Sequence, residues 1–122
     1  MRKAIKINTP ITAFTKEQLV ENDVPMTLKT VLLHYLSVAH LMNLQANDEM
    51  NLYFIGRQIG ESADDTDATI ILSMQDYTVL KKLADTGRVV QNGQAIPVFN
   101  LVVTQQAKIL LEQAENVKGK DE

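Results

Sequence analysis

Asp85-Thr86-Gly87 is the triplet in this sequence with the most specific chemistry attached to it. In aspartic proteases an Asp-Thr-Gly loop holds a carboxylate that shares one proton with a second copy and activates water. That chemistry needs the Asp at the end of a buried strand. Here the preceding residues, "YTVLKKLA", are helical in period and carry Lys81 and Lys82 where a buried strand would be apolar. Gly87 fits a glycine that ends a helix in the left-handed conformation. The second apolar motif with its glycine is missing downstream. The triplet therefore reads as a helix end.

Other reactive types are sparse. There is no Cys, which excludes disulfides, zinc thiolates and cysteine nucleophiles. His34 and His40 lie six residues apart in one expected helix, a rotation of about 240°, so they cannot share a metal there. Asp64, Asp65 and Asp67 offer hard oxygen ligands, but their loop lacks the glycine and closing Glu of a calcium-binding EF-hand. It reads as a solvated acidic loop. Gly56-Arg57-Gln58-Ile59-Gly60 follows a helix rather than a strand, so it signals close packing or a helix end, not a phosphate cradle. No catalytic, cofactor-binding or metal-binding residue is assigned, and the chain is expected not to be an enzyme.

The elements that position these residues follow from periodicity. "KAIKI" alternates in part and is read as an edge strand or extended arm over residues 1–12, interrupted by Pro10. Thr15 to Gln18 has capping-box spacing and is expected to open one helical turn. "ENDVP" breaks the chain. Thr27 to Asn43 carries apolar residues at Leu28, Val31, Leu32, Tyr35, Val38, Ala39 and Met42, the spacing of a core-facing helical stripe. Leu33, Leu36 and Leu41 lie off that stripe, so this helix is either central or shared with a second chain.

Further helices are expected over 47–59, with acids in the first turn, over 74–86, capped by Ser73, and over 98–116, with a stripe at Val98, Val102, Ile109 and Leu110. "TIIL" is a short apolar run, read as either a strand or a buried connector. Asn92-Gly93 between "RVVQ" and "QAIPV" signals a type I′ hairpin.

The 122 residues fit one domain, expected over 1–117, with 118–122 as a flexible tail. The fold class expected is mainly α: a compact helical domain with a short N-terminal strand and a small hairpin near 88–97. The alternative is α+β, with "KAIKI", "TIIL" and "RVV"/"AIPVF" in one small sheet. Net charge is -3 and the pI about 5.3, which disfavours binding driven by phosphate neutralisation. No apolar run approaches the ~20 residues of a membrane helix. The N-terminus lacks a signal peptide's apolar run. A cytoplasmic location is expected, in a host cell if the chain is phage-encoded.

Taken in order, "PMTLKTVLLHYL", "LYFIGRQI", "IILSMQDYTVLKKLAD" and "AKILLEQAE" resemble a group of short, mostly unassigned proteins of tailed bacteriophages and prophages. The resemblance covers about residues 24–115. It is carried by Pro25, Thr27 and Leu28; by Tyr53, Ile55 and Ile59; by Leu72, Ser73 and Asp76; and by Leu80 with Lys82. It implies a small accessory protein and transfers no catalytic residue. The function expected is protein–protein interaction, with the chain itself or a host protein as partner and Leu33, Leu36, His40 and Leu41 as the contact residues. No cofactor, membrane or small-molecule substrate is expected. One alternative is a DNA-binding regulator that reads bases with Asn100, Gln105, Gln106 and Lys108. Another is a virion assembly component.

Overall fold

The computed structural model describes residues 2–42 and 46–117. It contains 46% helix and 26% strand, in four helices and three small sheets. The fold is α+β, and the mainly α expectation is corrected. The α+β alternative also needs amending, because its strands do not share one sheet.

The first strand, β1 (Arg2–Lys6), is central rather than an edge. It pairs antiparallel with β4 (Thr69–Ser73) on one side and β7 (Glu115–Val117) on the other. Ile5 faces Ile70 across the first pair, and both are buried. β7 falls where the last helix was expected to continue. Glu115 and Asn116, expected in that helix, pair with β1 instead because it offers an open ladder, a long-range reward that local propensity does not register.

The segment after β1 is a β ribbon, not a helical turn. Thr12 bridges Gln18, and Lys16 turns the chain with φ +72°. The strands β2 (Val20–Glu21) and β3 (Val24–Pro25) then pair around Asn22 and Asp23. Both of those have positive φ, the geometry of a type I′ turn. The ribbon serves the next helix, α1 (Leu28–Ser37). Thr9 and Ile7 carbonyls accept the amides of Leu28 and Lys29, two of the donors a helix start leaves unpaired. Thr27 and Thr30 complete a reciprocal cap.

α1 buries Leu28, Val31, Leu32 and Tyr35, as its stripe predicts. It ends six residues early. The Ser37 hydroxyl donates to the His34 carbonyl, the Val38 amide bonds Tyr35, and the chain tightens into a 3-10 turn at Ala39–Leu41. Asn43, its expected end, lies outside the described residues, as does the 118–122 tail. α2 (Ala46–Gly60) buries Leu52, Ile55 and Ile59, and its Asp48 pairs with Lys82 (3.3 Å).

α3 (Met74–Thr86) matches its expected limits, with Ser73 as cap and Gly87 as left-handed stop (φ +55°). β5 (Arg88–Gln91) and β6 (Gln94–Pro97) form the expected hairpin, with Asn92 and Gly93 at φ +50° and +76°. α4 (Leu101–Glu112) buries Val103, Ala107 and Leu111 instead of the stripe read from sequence. Ile109 is half exposed. The true stripe holds a small Ala at its centre, so its apolar weight is lower than that of the neighbouring face. One core joins the three-stranded sheet and all four helices.

Candidate functional site

The residues with chemical potential are mostly absorbed by structure. Asp85 lies in the last turn of α3, half exposed, 3.7 Å from Lys81. With Gly87 closing the helix, the triplet is a helix end. The His34 ring lies tilted by 55° against Phe99 with centroids 5.0 Å apart, and His40 sits in the 3-10 turn. Among the described residues no group of three His, Asp or Glu could hold a metal.

The acidic loop is more built than its composition suggests. Asn8, 8% exposed, donates from Nδ2 to the carbonyls of Ala63 (2.8 Å) and Asp65 (2.7 Å). Lys29 donates to Ser62 O and pairs with Asp64 (3.0 Å). Asn8 was not singled out by sequence, because a lone Asn after a strand carries no signal of a partner more than fifty residues away. Two of the four proposed base-reading residues have structural bonds. Asn100 caps α4 at Val103 N, and Gln106 exchanges hydrogen bonds with the Thr12 backbone.

Two buried tyrosines differ in their polar ends. The Tyr77 hydroxyl donates to Leu111 O (2.6 Å) and ties α3 to α4. The Tyr35 hydroxyl is sealed from solvent and makes no hydrogen bond among the described residues; the adjacent Thr104 hydroxyl donates to Phe99 O (3.3 Å). Burial raises the pKa of both phenols. Thr104 offsets the rise at Tyr35. At Tyr77 Lys81 opposes it, while Glu112 and Asp85 add to it.

Among the cavities of the described residues, one groove of about 460 Å³ lies between α1 with its 3-10 turn and α2. Leu33, Leu36 and Ala39 line one wall and Leu52, Tyr53 and Gly56 the other, with His40, Glu49 and Arg57 at the rim. Three of the four residues singled out for partner contact, Leu33, Leu36 and His40, meet here. Leu41 does not line it and is half-buried against the core. The groove exists because Gly56 has no side chain to fill it and because Leu33 and Leu36 lie off the core stripe. Beside it rises an apolar ridge on α2: Met50, Tyr53 and Phe54 are each more than 60% exposed. The Tyr53 and Phe54 rings meet edge to face at 5.4 Å. The ridge was missed in sequence. "EMNLYFIGRQI" is amphipathic enough to read as an ordinary core helix, and its periodicity alone does not mark the aromatic pair as exposed.

No helix among the described residues is long and apolar enough to cross a membrane. Comparison with protein-family models, with curated proteins and with solved structures finds no match to this chain.

Proposed function

We propose that this protein acts by binding protein, through the groove between α1 and α2 and the aromatic ridge beside it. The observation that carries the reading is the solvent-facing cluster of Met50, Tyr53 and Phe54 next to the apolar walls of Leu33 and Leu36. Exposed aromatics beside a preformed apolar groove are the usual anchors of protein interfaces. A groove between two helices accepts a helix laid along it. The resemblance of residues 24–115 to small phage proteins supports an accessory role.

A photoreactive benzoyl-phenylalanine at Tyr53 tests this in cells that express the full chain. The expected result is a covalent adduct to a protein from Tyr53 and none from Gln105, exposed on α4. Adducts of equal yield from both positions, or none from Tyr53, refute the groove as the docking face.

A further inference from the structure

We propose that the occupant of the groove is a second copy of this chain, with α2 packed antiparallel against its mate about a two-fold axis at Tyr53. The inference rests on the reading of the groove as a docking site.

A two-fold interface must be complementary to itself. With the axis at Tyr53, residues equally distant before and after it face each other. Four before is Glu49 and four after is Arg57, so each copy's Glu49 meets the other's Arg57, and the contact occurs twice. Both residues are on the groove rim. Glu49 makes no ion pair among the described residues. Among the described residues Arg57 has only an exposed pair with Glu61 at 3.3 Å, weak enough to be redirected.

Three before the axis is Met50 and three after is Gly56. Met50 is 67% exposed, flexible and apolar. Gly56 is the gap in the groove wall, so Met50 of one copy seats over Gly56 of the other, above Leu36. A glycine inside a helix weakens it relative to alanine. Nothing in the chain's own packing demands one here: a Cβ on Gly56 would sit 3.7 Å from Leu36 Cδ1, an ordinary contact. The missing methyl is useful to a visitor. One axis thus satisfies the charge pair, the knob and gap, and the Tyr53 stack at the centre. An unrelated partner would have no reason to meet a face that complements itself.

Charge reversal on the full-length chain, followed by sedimentation equilibrium, tests this. The wild type is expected at twice its 13.6 kDa mass. Glu49→Arg and Arg57→Glu should each weaken the dimer by at least about tenfold, since two opposite-charge contacts become like-charge ones. An equimolar mixture of the two variants should restore it. In the mixed dimer the introduced arginine meets the introduced glutamate, and the native Glu49 of one copy meets the native Arg57 of the other, so both contacts again join opposite charges. Gly56→Ala should raise thermal stability while weakening association, a split that a purely structural glycine would not give. The chain has no Cys, so Tyr53→Cys should oxidise to a linked dimer and Gln105→Cys should not. A wild type that stays monomeric, or a mixture that fails to recover, overturns the dimer. In that case adducts from Tyr53 to a different protein would still uphold the groove as a docking face, so the two readings fail separately.

Discussion

Tyr35→Phe and Tyr77→Phe delete the same atom from two buried rings and should move stability in opposite directions. Tyr77 loses its 2.6 Å bond to Leu111 O. A buried neutral hydrogen bond is worth about 1 kcal/mol net. The cost stays near that figure because Leu111 O keeps the Ala114 amide at 3.2 Å and is not orphaned. Tyr35 loses a hydroxyl that is sealed from water and makes no hydrogen bond among the described residues. Holding such a group dry costs roughly 1–3 kcal/mol. Its removal leaves only a hydroxyl-sized gap, which takes back part of the gain. The net expectation is a stabilisation of about 1 kcal/mol, so the two variants differ by about 2 kcal/mol. In a domain of this size that separates their Tm values by roughly 6–10 °C. Urea denaturation with a common m-value is the assay. If Tyr35→Phe is destabilised as much as Tyr77→Phe, the Tyr35 hydroxyl has a partner and the packing around Thr104 and Gly87 differs from that described.

Alkaline titration follows from the same rings. Burial raises both phenol pKa values above the ordinary 10.0, so their contribution is complete below pH 10.0 and is lost as pH rises through the folded-state values. Stability measured by urea should therefore fall above pH 10.0, less steeply in Tyr35→Phe; an unchanged slope in that variant contradicts the assignment. Gly87→Ala should cost about 1 kcal/mol from the positive φ alone, since the nearest atom, Ala84 O, is 3.4 Å from the new Cβ; a neutral variant in thermal melts would mean that the helix end is not left-handed. Asn8→Ala removes two bonds to the acidic loop and should speed amide exchange in residues 61–68 far more than in α3, with roughly 1–3 kcal/mol lost; uniform exchange would show that Asn8 does not hold the loop.

What was legible in the sequence had local causes. Ser73, the α3 period and Gly87 lie within one stretch, and the limits of that helix follow from them. Asn92-Gly93 specifies its own turn. The α1 stripe names its buried residues because Leu and Val dominate one face. What was not legible depended on distant partners. β7 is a strand only because β1 stands open beside it, and "KAIKI" becomes central only when both neighbours arrive. The Asn22-Asp23 turn has the geometry of Asn92-Gly93 but lacks the glycine that advertises it. In α4, Ala107 is in the core and Ile109 is half exposed, so ranking by apolar size selects the wrong face.

The candidate site shows how two weak signals can be one feature. Surplus leucines on α1 and a GxxxG spacing on α2 were separate oddities in the sequence. In the fold Leu36 lies under Gly56, and the surplus is visible to solvent because the glycine leaves it uncovered. A larger residue at Gly56 would fill the gap from within the chain and bring α1 and α2 into full contact. The ridge would then be a set of scattered exposed side chains, which single surface residues usually are. Keeping Gly56 costs helix stability and exposes apolar wall, and both costs are recovered only if something occupies the groove. This is why the effect of Gly56→Ala on association, opposed to its effect on folding, separates a docking surface from an imperfectly packed one.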